Sequence, residues 1–372
     1  MIGVGEAFAP RYAEARRRFL EGCAAAGLAV QSHVHPLHGR DGEELALDVA
    51  LDGAPDAQAL LIVSSGCHGI EGHCGSGVQV FALHDAEWRE LARDRGVAVL
   101  YLHALNPHGF SHGRRVTQEN VDLNRNFLDF SKPLPVNAAY ASLHALLLPE
   151  TWPPTVVNQA EIDALIAREG LDFYQAAVSR GQYQYADGLF YGGAAPTWSN
   201  RTVREVLRTH AGRARCVGWI DIHTGLGPNG IGERIFACRD DAAAYARANA
   251  WWGAPGAPVT SMYDGSSTSA FLTGLMAFAL EEECPQAEYT AIALEYGTEP
   301  MLEVMSALRG DHWLHRHPGA PAELAQAIRA RMMAAFYSDT DAWRGQVISQ
   351  ARQAMFQAAD GLSPSFSGRG QG

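Results

Sequence analysis

The stretch SSGCHGIEGHCGSG sets His68 and Glu71 three positions apart in a glycine-rich segment that follows the apolar run ALLIV. An imidazole and a carboxylate at that spacing could reach one metal ion from a tight turn. Polar groups also follow three other apolar runs. VAVLYLHAL leads into NPHGFSHGRR and then VDLNRNF, CVGWIDIH ends on His223, and TAIALEYG carries Glu295 near its end. A catalytic zinc typically takes three protein ligands and keeps a fourth position for water. His68, Glu71 and His223 supply two imidazoles and one carboxylate, a set zinc commonly uses for hydrolysis, with the third ligand far away in sequence. By itself H-x-x-E is a weak signal, because most instances are accidental. Its weight comes from the other three motifs.

Something must bring these motifs together. ALLIVSS, VAVLYLHAL, CVGWIDIH and TAIALEYG are apolar with little alternation, the pattern of strands buried on both faces. ELALDVALDG reads as an early strand able to pair with the preceding QSHVHPLHG. Helical patterns lie between the strands, over AEARRRFLEGCAAAG, VQVFALHDAEWRELARDRG, NQAEIDALIAREGLDFYQAAVSRG and NRTVREVLRTHAG, with two more in the C-terminal region. This alternation predicts an α/β fold: a mixed, mostly parallel twisted sheet with helices on both faces. Ligands of such sheets bind beyond the carboxyl ends of the strands, where all four motifs would meet. No repeat or linker divides the chain, so one domain is expected over residues 1–362, with a frayed tail over 363–372. GQYQYADGLFYGGAAPTWSN has neither helical nor strand periodicity and reads equally as a binding loop or an aromatic-packed surface loop.

A net charge of −12 argues against nucleic-acid or anionic-membrane partners, which need a basic footprint. No apolar run is long enough to cross a bilayer, and the N-terminus does not read as a signal peptide. The six cysteines have neither disulfide-like nor CxxC spacing, so reduced thiols in a cytoplasmic protein are expected.

Taken together, HGIE, RVTQENVDLNRNF, DIHTG and LEYGT resemble the zinc carboxypeptidase superfamily in order and approximate spacing. That superfamily includes carboxypeptidase A-like peptidases and the succinylglutamate desuccinylase and aspartoacylase deacylases. The chain looks like an uncharacterised bacterial branch described only as a domain of unknown function. The resemblance implies one zinc per chain on a phosphorylase/hydrolase-like fold, bound by His68, Glu71 and His223. It makes Glu295 the general base towards the activated water. Arg115 would stabilise the oxyanion, with the adjacent Arg114 as an alternative for that role. Asn124 and Arg125 match the pair that holds a substrate carboxylate. Metal-bound histidines normally donate their other N–H to a carboxylate, which makes Asp122 and Asp221 candidate partners, with a place on the pocket wall as the alternative for Asp221.

The function expected is a zinc-dependent, carboxypeptidase-type amide hydrolase acting on a small peptide or N-acyl amino acid with a free carboxylate. The alternatives are a deacylase of small N-acyl amino acids or an inactive binding module on the same fold. The family's substrate-clamping tyrosine has one candidate, Tyr263, at longer spacing from Glu295 than expected. The histidine groups 33, 35, 38 and 312, 315, 317 read as solvated or locally hydrogen-bonded, and Cys67 and Cys74 as packed thiols.

Overall fold

The structure, a computed structural model, describes residues 2–363; of the tail expected over 363–372 only Ser363 falls within them. Eight strands form one sheet: β1 (Val30–His38), β2 (Glu44–Asp52), β3 (Ala59–Ser64), β4 (Val97–His103), β5 (Cys216–Asn229), β6 (Gly232–Phe236), β7 (Thr260–Ser261) and β8 (Glu288–Gly297). Their order is β1-β2-β4-β3-β5-β8-β6-β7. The central run β4-β3-β5-β8 is parallel, and β1, β2 and β6 join antiparallel. Every residue of β3 and β4 is buried, which explains their unbroken apolar sequence: both faces of the sheet are covered. The helices Gly72–His84, Met301–Arg316 and Asp341–Leu362 all pack against β5.

The expected hairpin of β1 and β2 and the four central strands are present. Two helices expected to be continuous are broken. The first divides at Asp85, whose extended backbone ends Gly72–His84 and whose carboxylate caps the next helix by accepting from Trp88 N–H. The second divides at Gly170, where φ is +93°, giving Val156–Glu169 and Leu171–Ser179. The helix Met301–Arg316 has no counterpart in the sequence reading. It is buried almost continuously from Val304 to Leu314, so no polar stripe reveals its period.

A second apolar cluster lies beside the main core. It joins Tyr140, Leu143, Ile162, Leu165 and Tyr174, from the helices between residues 138 and 179, to Val304, Met305 and Leu308 of Met301–Arg316. Phe190, from the irregular aromatic segment, belongs to this cluster.

Candidate metal centre and active site

His68 follows the end of β3 and begins a short 3-10 turn, Gly69–Glu71, that runs straight into the helix Gly72–His84. The glycines there serve close packing rather than an unusual backbone. A Cβ on Gly69 would stand 2.1 Å from the backbone of Gly109, and one on Gly72 would stand 2.5 Å from the Phe110 ring. With side chains absent, the turn lies directly on the helix Pro107–His112. It is fastened to the next segment by Gly69 N–H to Arg115 O and Ile70 N–H to Arg114 O.

The turn points two side chains at a third from β5. The Nδ1 atoms of His68 and His223 lie 3.3 Å apart. Glu71 spans them, with Oε1 2.8 Å from His68 Nδ1 and Oε2 2.9 Å from His223 Nδ1. The other ring nitrogens meet carboxylates: His68 Nε2 is 3.1 Å from Asp122 and His223 Nε2 is 2.6 Å from Asp221. Asp221 is itself held by Ser64 Oγ at 2.5 Å, and Ser64 by the Trp219 indole N–H at 2.7 Å. All of these groups are buried.

Two imidazoles whose far N–H groups are taken by carboxylates, and whose near nitrogens share one point with a third carboxylate, form a donor set that fits zinc. The candidate donor atoms of His68, Glu71 and His223 all lie within 4.8 Å of one another. Electrostatics agree. Burial opposes charge on the His223 ring, yet Asp221 and Glu71 hold its pKa well above the usual histidine range. Burial opposes charge on Glu71 as well, but the two histidines keep its carboxyl below its ordinary value. The pocket is built to hold positive charge at this point.

Glu295 lies opposite His223 on β8, 9% exposed, with Oε1 accepting from Leu226 N–H. Burial, reinforced by the Glu71 charge, pushes its pKa up to about 8. Of the two adjacent arginines, Arg115 is the one at the centre, donating to Glu71 at 3.2 Å and to Asp122 at 3.0 Å. Arg114 turns away into a buried ion pair with Asp311. Asn124 and Arg125 lie in a 3-10 turn that Asp122 caps. Asn124 Oδ1 accepts from Met276 N–H, while Arg125, 2% exposed, donates twice to Ser179 O and once to Asn124 O.

His68, Arg115, Asn124, Arg125, His223 and Glu295 all line one cavity. The rest of the wall is chiefly apolar. It includes Met262, Leu272 and Leu275, which cluster together, and Met305, Leu308 and Phe190, which belong to the second apolar cluster. Sequence reading anticipated the polar centre but not Phe190, the Ser64–Trp219 support, or the wall from Met301–Arg316. A positive φ on phenylalanine leaves no mark in sequence.

Other expectations resolve as follows. Tyr263 donates its hydroxyl to Cys238 O, and no tyrosine lines the cavity among the described residues. His73, the other histidine of the glycine-rich stretch, bonds Ala9 O. Cys67 and Cys74 are fully buried, and burial drives both thiols well above their ordinary range. Cys67, Asp221 and His223 form the one other potential donor group among the described residues, so neither distant histidine group builds a metal site. Two of those histidines, His35 and His312, are buried, and His35 Nδ1 accepts from Leu37 N–H, the local bonding expected. Among the described residues no helix is long and apolar enough to cross a membrane.

The sequence profile of a family described as "Protein of unknown function (DUF2817)" matches residues 8–350. Comparison with the curated proteins finds no match. Among solved structures, bovine thrombin-activatable fibrinolysis inhibitor in complex with tick carboxypeptidase inhibitor aligns over 95% of this chain and 97% of that one. Its TM-score is 0.51 and its sequence identity 10%. This likeness is one of fold, and the fold is the one that the resemblance to the zinc carboxypeptidase superfamily led us to expect. Two metallo-carboxypeptidase structures are more distant in shape. One, from Pseudomonas aeruginosa in complex with (2-guanidinoethylmercapto)succinic acid, has a TM-score of 0.40 and 15% identity over 94% of this chain and 69% of that one. The other, from Burkholderia cenocepacia, has a TM-score of 0.36 and 11% identity over 86% and 67%.

Proposed function

We infer a function for the chain as a member of the DUF2817 family, to which it belongs: a zinc-dependent amide hydrolase of carboxypeptidase type, cleaving an amide bond next to a free carboxylate. The observation that carries this reading is the meeting of His68, Glu71 and His223 at one buried point, with Glu295 and Arg115 on the same cavity. Zinc held by those three residues would polarise the scissile carbonyl and lower the pKa of a water towards ~7. The other roles belong to the chain's own side chains. Glu295 takes a proton from the attacking water and delivers it to the leaving amine. Its raised pKa suits that exchange, and a cation at the centre brings the value down towards neutrality. Arg115 offers fixed positive charge to the developing oxyanion in a largely apolar cavity. Asn124 and Arg125 bind the substrate carboxylate, for which a planar guanidinium fork is suited. Asp122 and Asp221 fix the tautomer of each ligand histidine. The catalytic unit is taken as one domain over residues 1–362, and six free cysteines support a reducing, cytoplasmic setting.

Within the same chemistry, a deacylase of small N-acyl amino acids is favoured by one observation: among the described residues no tyrosine lines the cavity to clamp a peptide, Tyr263 being tied to Cys238 O. The test is the metal content of purified wild-type protein beside His223→Ala, followed by hydrolysis of N-blocked dipeptides and of free N-acyl amino acids. About one zinc per chain in the wild type, lost in the variant, is expected. A wild type that takes up no metal when zinc is supplied overturns the reading. Activity on N-acyl amino acids with none on peptides selects the deacylase.

A further inference from the structure

Phe190 is one of two non-glycine residues with positive φ among those described, at +50°. A bulky side chain persists in that region only when its surroundings over-determine the backbone, and such positions cluster at functional sites. Here the fastening is dense. Phe190 O accepts from Gln182 N–H, and Leu189 O from the Gln182 side chain. Gly188 O accepts from the Asn120 side chain, and Tyr191 O from Asp122 N–H at 2.7 Å. The last bond ties the loop to the residue that holds both His68 and Arg115.

The conformation places the ring against both arginines of the site. The Arg115 guanidinium carbon is 5.1 Å from the ring centroid and that of Arg125 is 5.7 Å. The ring is 5% exposed and lines the cavity. Arg115 is anchored by Glu71 and Asp122, and Arg125 by Ser179 O. An aromatic face beside both guanidinium groups attracts each of them and adds to those bonds. We propose that Phe190 is a positioning residue: its strained backbone holds an aromatic wall that aligns Arg115 towards the reacting carbonyl and Arg125 towards the substrate carboxylate. This rests on the hydrolase reading above for the roles of the two arginines, but the geometry stands without it.

The alternative is that Phe190 only fills the apolar cluster shared with Leu308 and Met305. Leucine fills that cluster nearly as well and endures the same φ, but offers no π face. Tyrosine keeps the ring. The experiment compares wild type, Phe190→Leu and Phe190→Tyr, zinc-loaded, on N-blocked dipeptides and N-acyl amino acids, with zinc content and thermal midpoint measured alongside. Phe190→Leu is expected to lose roughly 10- to 100-fold in kcat/KM through both kcat and KM, as misplacing groups by ~1 Å does. Zinc content should not change, and Phe190→Tyr should recover most of the loss. A leucine variant within twofold of wild type, or a tyrosine variant as impaired as the leucine one, overturns the proposal. If the wild type hydrolyses none of these compounds, the hydrolase reading fails instead. The wall is then read from calorimetric binding of hippurate, which should weaken in Phe190→Leu and recover in Phe190→Tyr; equal affinity in all three overturns it.

Discussion

His223 and Glu295 are register partners on the adjacent parallel strands β5 and β8, so their side chains leave the same face of the sheet one strand spacing apart. A candidate ligand and a carboxylate more than seventy positions apart in sequence thus take their separation from a hydrogen-bonded ladder rather than from a loop. Sites built on strands hold geometry better than sites built on loops.

This arrangement lets the two roles be separated by mutation. Glu295→Gln keeps the shape and the Leu226 contact but removes the base. Hydrolysis should fall by about 10²–10⁴-fold while zinc stays bound at the wild-type level. Zinc lost together with activity would make Glu295 a ligand instead.

The neighbouring arginines should behave differently. Arg115→Met is expected to lower kcat by about 10²–10³-fold, the size found when an oxyanion donor is removed. Arg114→Met should leave kcat nearly intact but cost about 3–5 kcal/mol of stability, because it strands Asp311 without its buried partner. Denaturant titrations beside steady-state kinetics check both, and exchanged outcomes would reverse the assignment.

Asp221 touches no substrate in this scheme, yet it holds His223 Nε2 at 2.6 Å. Asp221→Asn should weaken zinc affinity by about 10–100-fold, measured by competition with a chromophoric chelator, with the fold retained by circular dichroism. Unchanged affinity would leave Asp221 a packing partner of Ser64 only.

His103, on the buried face of β4, is stacked on Phe19 and bonded to Ser76. Burial pushes its pKa down to about 4. The unfolded chain takes up the proton near pH ~6.5 and the folded chain only near pH 4, so the unfolded state binds more protons in between. Stability from this group is therefore complete above pH ~6.5 and falls as pH drops to 4, by roughly 3 kcal/mol at ~1.4 kcal/mol per unit. His103→Gln should flatten that stretch of the stability–pH curve, and a variant as steep as wild type would place the transition elsewhere.

Gly69→Ala tests the packing of the ligand turn. A methyl group 2.1 Å from Gly109 must displace the turn or the helix Pro107–His112. A loss of about 1–3 kcal/mol is expected, with weakened zinc binding because His68 and Glu71 move together. Wild-type zinc affinity in a destabilised variant would show that the helix Pro107–His112 gives way and the turn stays in place.

The central sheet and the polar centre were legible in sequence for the same reason. Strands buried on both faces must be largely apolar runs, and polar residues towards their ends stand out against them, as His223 does after CVGWIDI. The helix Met301–Arg316 was not legible, because burial all round erases the period that marks a helix. The break at Asp85 was missed because the apolar spacing continues across it, and only the cap on Trp88 shows that a new helix starts. Arg114 and Arg115 could not be separated by spacing. They are distinguished by Asp311, some two hundred residues away on a helix whose position the sequence does not reveal.

His68 and His223 are 155 positions apart along the chain, although their ring nitrogens nearly touch. Viewed as a polymer, the molecule has a long loop whose two ends come together at the centre. A disordered chain would have to close that loop before it could grip an ion with both rings, and the entropy of closure rises with loop length. An ion at this point would therefore bind almost wholly to the folded form, where its binding energy becomes stability. The same clasp that serves a reaction would fasten the first half of the chain to the second, and a chelator would loosen the whole protein as well as silence it.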